Sequence, residues 1–94
     1  MSGFRILYHP LVVKKDIPRL GEADRNKVKR AIELRLTIHP EKYGKPLRET
    51  LKGLWSLRVG DWRIIFKITG EEIWMLRIGH RREVYKEPVR EVEL

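Results

Sequence analysis

Apolar and polar residues alternate through the middle of the chain. The apolar positions lie on either side of a Gly60-Asp61 pair and are Trp55, Leu57, Val59, Trp62, Ile64 and Phe66. Because successive side chains of a strand point to opposite faces, this pattern predicts two strands that share one apolar face. A two-residue loop with glycine first is typical of a type II′ hairpin. Its register places Arg58 directly opposite Arg63, on the other face.

Helical spacing dominates the chain before this hairpin. Residues 4–8 form a predicted strand, followed by a short helix that Pro18 should kink or shorten. Apolar residues at helical spacing then predict a longer helix over residues 22–38. Residues 41–46 carry glycine and proline and are predicted as a loop.

A third strand of the central sheet is predicted over residues 73–80. Its alternation predicts that Trp74, Leu76 and Ile78 extend the apolar face of the hairpin. Together these elements predict an α+β fold, with an N-terminal strand and a two-helix hairpin packed on one face of a small antiparallel sheet. A chain of 94 residues predicts a single domain, residues 1–94.

Composition narrows the possible functions. The net charge of +8 favours a polyanionic partner, such as nucleic acid or an acidic protein. The chain has no cysteine, which excludes disulfides and thiolate metal sites and fits a cytoplasmic protein. We expect no secretory signal and no membrane span, because no apolar run approaches the roughly 20 residues needed to cross a bilayer. The three histidines lack partners at metal-ligand spacing, so no metal or other cofactor is expected.

The second face of the predicted sheet is basic, and it holds the residues with possible chemistry. Arg58, Arg63, Lys67, Arg77 and Arg81 fall on it. Two arginines directly opposite each other repel, and an anion held between them would turn that repulsion into binding. A pair of solvated arginines is the alternative. The sequence has no nucleophile elbow, phosphate loop or dinucleotide fingerprint. Composition alone therefore favours passive binding of nucleic acid or of an acidic protein.

Two motifs resemble the RelE/ParE toxin superfamily. The first is the arginine–variable–glycine–aspartate–aromatic–arginine hairpin at residues 58–63, and the second is the glycine–basic–arginine stretch that leads to a valine and tyrosine at residues 79–85. The order of predicted elements is similar too, from residue 4 to about residue 85. The resemblance implies a type II toxin that enters the ribosomal A site and cuts mRNA without a metal, by attack of a 2′-hydroxyl on the adjacent phosphate.

The resemblance also implies roles for individual residues. Arg63 and Arg81 would stabilise the transition-state phosphate, and Tyr85 would stack on a base and assist proton transfer. Arg58 would support phosphate binding beside Arg63. The other cations near the motifs are expected to bind RNA, and these are Lys52, Lys67, Arg77 and Arg82.

The sequence departs from the RelE pattern before the hairpin turn. Family members carry two lysines there, one of which acts as general base, whereas this chain has Leu54 and Ser56. His80 or Lys52 is the candidate to take over that role, since histidine ordinarily titrates close to neutral pH. Strand alternation, however, places His80 on the apolar side unless the strand ends or bulges there.

Three functions remain open at this point. The first is a ribosome-dependent mRNA endoribonuclease, whose partners would be a RelB-like antitoxin and a ribosome with mRNA in the A site. The second is a ParE-like inhibitor of DNA gyrase, and the third is a non-catalytic module that binds nucleic acid or an antitoxin. The presence of Arg63, Arg81 and Tyr85 favours the first.

Overall fold

A computed structural model describes residues 3–86 and residue 90. Within these residues five strands form one sheet in the order β1-β5-β4-β3-β2, with β1 parallel to β5 and all other pairs antiparallel. The strands are β1 (Arg5–Tyr8), β2 (Lys45–Pro46), β3 (Trp55–Val59), β4 (Trp62–Thr69) and β5 (Glu72–His80). The helices pack against this sheet, which confirms the predicted α+β fold. No helix within the described residues is long and apolar enough to cross a membrane.

The helices of the chain lie mostly between β1 and β2. A π-helical turn at Val12–Asp16 is followed by a 3-10 turn at Ile17–Arg19, so the helical geometry changes at Pro18. Helix α1 (Glu22–Ala31) continues as a π-helical segment, Ile32–Leu36, within the predicted range. Helix α2 (Pro40–Tyr43) occupies the predicted loop, since proline at a first helical position has its backbone angle already set.

The central hairpin has the predicted register. Arg58 pairs with Arg63 across β3 and β4, and Val59 pairs with Trp62. Gly60 has a φ of 59°, whereas Asp61 does not have a positive φ. One left-handed residue at the first loop position is the geometry of a type II′ turn, and glycine adopts it without steric cost.

The main core lies between the helices and one face of the sheet. It combines apolar residues of the helical region with the inward-facing residues of β3, β4 and β5, and its buried members are Val12, Leu20, Val28, Ala31, Ile32, Leu36, Leu57, Val59, Ile64, Phe66, Ile73, Met75 and Ile78. Phe66 lies at its centre, fully buried and stacked with Trp55 at 6.4 Å between ring centroids. The predicted apolar face of the hairpin is therefore the core face.

The prediction for β5 is wrong in one respect. A bulge lies opposite Ile65 and Phe66, so that Ile65 pairs with Arg77 while Phe66 pairs with Met75. The extra residue, Leu76, shifts the alternation by one position. Met75 therefore enters the core, and Trp74 lies beside Lys67 on the opposite face.

The edge of β5 beyond β1 is closed by an ion pair. Asp16 accepts a hydrogen bond from the Ile78 backbone N–H at 2.9 Å, and Arg90 donates to the Leu76 carbonyl at 3.1 Å. Asp16 and Arg90 also bind each other through two contacts, of 2.6 and 2.9 Å. These side chains take the place of a neighbouring strand, because each satisfies a backbone group that β1 does not reach.

The raised pKa of Tyr8, at the end of β1, predicts that the free energy of unfolding depends on pH. Burial, and secondly the negative charge of Glu33, raise the pKa of Tyr8 above its ordinary value of 10.0. Because the folded state holds this proton more tightly, the contribution to stability is complete below about pH 10 and is lost as pH rises through the folded-state pKa. We expect the free energy of unfolding to fall less steeply above pH 10 in Tyr8→Phe than in the wild type, as measured in urea. Parallel curves would contradict this, and Tyr43→Phe, at an exposed position, is the control.

Candidate phosphate-binding site

The opposed arginines lie on the face of the sheet away from the main core. Arg58 is exposed, and Arg63 is half-buried between Arg58 on β3 and Gly79 on β5. Among the described residues, none accepts a hydrogen bond from the buried Nη1 of Arg63. A buried donor without an acceptor costs about 1–3 kcal/mol, and more when it is charged. The pair therefore combines repulsion with an unmet donor, and a bound anion would relieve both.

The turn after β5 folds back over this same face. Gly79 pairs with Arg63, and a Cβ atom placed on Gly79 would lie 3.3 Å from three atoms of Val84. The absence of a side chain at Gly79 thus lets Val84 pack closely beside Arg63. Backbone N–H groups of Glu83 and Val84 donate to the His80 carbonyl at 2.8 and 2.9 Å, which fixes the turn. Sequence reasoning noted the motif but not this contact.

This turn carries Arg81 and Tyr85. The Arg81 backbone N–H donates to the Asp61 carbonyl at 2.8 Å, and its Nε lies 3.8 Å from an Asp61 carboxylate oxygen. The side chains of Arg81 and Asp61 are 44% and 68% exposed, so the ion pair between them is weak and leaves the Arg81 guanidinium available. Tyr85 is 47% exposed. The fold therefore brings Arg81 to the hairpin turn that connects the strands of Arg58 and Arg63.

His80 lies on the other side of the sheet from Arg63. It pairs with Trp62 across β4 and β5, and the two rings meet edge to face at 5.8 Å between centroids. Its Nδ1 accepts a hydrogen bond from the Arg82 backbone N–H at 3.2 Å. A neutral imidazole with Nδ1 as acceptor carries its proton on Nε2.

The remaining predicted RNA-binding residues are dispersed. Lys67 pairs with Trp74, and Arg82 is exposed in the turn. Arg77 is only 7% exposed and therefore does not belong to an open basic surface. Lys52 follows the 3-10 turn Glu49–Leu51 and lies outside the sheet.

The structure adds Lys45, which sequence reasoning missed, to the face of the sheet that carries the opposed arginines. It belongs to the short strand β2 and pairs with Ser56, on the face that also holds Arg58. Diagonal neighbours in a sheet lie about 7–8 Å apart, which a lysine side chain spans. Ser56 is a position where the resembled family carries a lysine, so β2 supplies a lysine beside it. The strand has only two residues and one is proline, which gives no detectable strand pattern.

The side chains of the site suit an anion better than a metal ion. Within residues 3–86 and 90, no three His, Asp or Glu side chains come together as metal ligands. Arginines on a rigid sheet bind phosphate oxygens in a bidentate way and stabilise charge that develops on them. The arrangement therefore suits phosphate binding and phosphoryl-transfer chemistry.

Comparison with known proteins agrees with the fold and the motifs. A family model described as the ParE toxin of a type II toxin-antitoxin system, parDE, matches residues 6–85. No curated protein sequence matches the chain significantly. The toxin-antitoxin complex RelBE2 from Mycobacterium tuberculosis includes a chain with 28% identity and a TM-score of 0.78, over 86% of this chain and 94% of that one.

Two further solved structures are similar. A histidine-to-glutamine mutant of YafQ from E. coli has 26% identity and a TM-score of 0.63, over 87% of this chain and 98% of that one. A double mutant of the E. coli toxin RelE in the free state has 21% identity and a TM-score of 0.67, over 93% of this chain and 94% of that one, and shows the shared fold alone. Since the family model spans most of the chain, the protein belongs to the ParE toxin family of type II toxin-antitoxin systems, within the RelE/ParE superfamily.

Proposed function

We propose that this toxin is a ribosome-dependent mRNA endoribonuclease that cleaves the codon in the A site. The observation that carries the proposal is the buried, unsatisfied Nη1 of Arg63 beside the opposed Arg58. A sheet gains no stability from such a pair, whereas a phosphodiester between the two guanidinium groups would satisfy the donor and remove the repulsion.

In the proposed reaction the 2′-oxygen of a ribose forms a bond to the adjacent phosphorus, and the bond from phosphorus to the 5′-oxygen breaks. The 2′-hydroxyl loses its proton to a base, and the leaving 5′-oxygen gains one. The products are a cyclic phosphate and a 5′-hydroxyl. Arg63 and Arg81 stabilise the negative charge that builds on the phosphate, Arg58 holds the ground-state phosphate, and Tyr85 stacks on a base.

The faces of the sheet on which Lys45 and His80 lie distinguish the two as candidate proton-transfer groups. Lys45 projects from the face that carries Arg58 and Arg63, whereas His80 contacts Trp62 on the opposite face. We therefore assign Lys45 to the reacting phosphate in place of the lysine missing from β3. His80 serves mainly to hold the turn that carries Arg81, through its carbonyl and its Nδ1.

The proposed partners are an antitoxin and the translating ribosome. The RelBE2 structure from Mycobacterium tuberculosis is a toxin-antitoxin complex, and a net charge of +8 suits an acidic segment of a RelB-like antitoxin. The same charge favours binding to ribosomal RNA. Such association depends strongly on salt, because each phosphate contact releases counterions.

The test is induced expression in bacteria followed by primer extension on one message, in a translated form and in a form without a start codon. Cuts within codons of the translated form alone are the expected result. The name of the matching family model makes gyrase inhibition the main competing outcome. Growth arrest with intact mRNA and damaged DNA would replace the proposal by that activity.

Lys45→Ala and His80→Gln separate the two candidate proton-transfer groups. A residue that transfers a proton in the transition state contributes about 10²–10⁴-fold to the rate. We expect Lys45→Ala to slow single-turnover cleavage on programmed ribosomes by about 100-fold, and His80→Gln to have a much smaller effect. The reverse order would return the role to His80.

A further inference from the structure

A second basic site lies between the helical layer and the tip of the central hairpin. We call it the helix–hairpin groove, with a volume of about 420 Å³. One wall is a stripe at helical spacing, formed by Lys27, Arg30, Leu34 and Arg35. The opposite wall includes Arg58. The groove therefore collects four cations from elements that are distant in sequence.

The charges of this groove are not neutralised within the described part of the chain. No ion pair among those residues involves Lys27, Arg30, Arg35 or Arg58. Arg35 contacts the Tyr43 ring, with its guanidinium carbon 6.0 Å from the centroid.

Neither of the acidic residues next in sequence to the groove lining, Glu33 and Asp61, lines the groove itself. Glu33 acts on Tyr8, whose pKa it raises, and Asp61 pairs with Arg81. Four cations around one cavity without a countercharge cost repulsion energy, which an anionic partner would recover.

We propose that the helix–hairpin groove binds the phosphodiester backbone of folded RNA, outside the segment that is cleaved. The inference rests on the proposed RNA-directed function and assigns a second contact to it. Arg58 carries the argument, since it lines the groove and also forms half of the opposed pair. Basic surface thus continues from the phosphate site around the edge of β3, which β2 covers only at Trp55 and Ser56. RNA held at both the phosphate site and the groove would bind more tightly than RNA held at either site alone.

The test compares two triple variants with the same change in charge. Lys27→Gln, Arg30→Gln and Arg35→Gln together remove three cations of the groove. The matched control removes the exposed Lys14, Lys15 and Lys29, which do not line it. Both variants lower the net charge by three. Circular dichroism and thermal unfolding establish that each is folded.

The measurement is the affinity for a 20-base-pair RNA duplex between 50 and 300 mM KCl. Each lost phosphate contact lowers the slope of log affinity against log salt by about 0.9. We expect the groove variant to lose about 2–3 units of slope, and the control well under one unit. Equal losses in the two variants would overturn the inference, because net charge alone would then explain binding. Unchanged RNA binding, with weaker binding of a glutamate-rich peptide, would overturn it in favour of an acidic protein.

Failure of the groove and failure of the proposed cleavage are distinguishable. Duplex binding requires neither translation nor chemistry, whereas Arg63→Ala is expected to slow cleavage whether or not the groove binds RNA. A toxin that binds the duplex through the groove but does not cut mRNA would refute the nuclease alone.

Discussion

Replacing Arg63 by alanine is expected to slow cleavage of the A-site codon by at least about 100-fold, because one preorganised donor to a developing oxyanion contributes about 10²–10³ in rate. Arg63 pairs with Arg58 on β3 and with Gly79 on β5, and its Nη1 is buried, so its position is set before RNA binds. Since charge on the phosphate increases in the transition state, the loss should fall on the rate of the chemical step more than on binding. Single-turnover cleavage at saturating toxin measures that step directly.

Two further variants make this result specific. Arg63→Lys keeps the charge but loses the bidentate geometry, and it should recover only part of the rate. Arg25→Ala removes an exposed arginine of helix α1 and should cleave at the wild-type rate. Equal cleavage by the wild type and Arg63→Ala would remove Arg63 from the mechanism. It would also leave the buried Nη1 without a functional explanation.

Replacing Arg90 by alanine is expected to destabilise the fold by about 3–5 kcal/mol, as is typical when one partner of a buried ion pair is removed. Asp16 is 2% exposed and the Arg90 side chain 13%, so neither charge is well solvated in isolation. The change also removes a donor from the Leu76 carbonyl. Stabilities of small domains are about 5–15 kcal/mol, so urea titration should show a large shift of the midpoint.

A double-mutant cycle tests whether the pair is the cause. Asp16→Ala with Arg90→Ala should cost clearly less than the sum of the single changes, because no lone buried charge remains. The exposed pair between Arg5 and Glu72 is the control, and Arg5→Ala should cost about 1 kcal/mol or less. Additive losses in the Asp16–Arg90 cycle, or a loss from Arg90→Ala no larger than that from Arg5→Ala, would contradict the prediction.

The central hairpin shows how much the sequence alone determines. Alternation of apolar residues and a Gly60-Asp61 loop establish the register, and the register places Arg58 opposite Arg63. These are local properties, since loop length, turn type and side-chain parity all depend on residues close together in the chain. The family motifs lie within the same local segments, which is why the fold and the family were both predicted.

Contacts between distant segments depended on the tertiary structure. The bulge at Leu76 exchanges the faces of Trp74 and Met75, because pairing with β4 decides which face of the sheet each β5 side chain occupies. No local sequence pattern marks the extra residue. Lys45 comes beside Ser56 through a two-residue strand that is too short for a periodic signal.

The phosphate site likewise depends partly on the local sequence and partly on the tertiary structure. The sequence predicts that its two arginines lie opposite each other. Whether the guanidinium of Arg63 has a hydrogen-bond acceptor, however, depends on all the elements that surround it. The structure shows its Nη1 buried and, among the described residues, without an acceptor. The packing of Val84 on Gly79 brings the turn after β5 to that face, and it also depends on the tertiary structure, because the two residues must fit each other in shape. Periodicity specifies which residues face each other within an element, whereas burial and satisfaction of a charge depend on the packing of the whole chain.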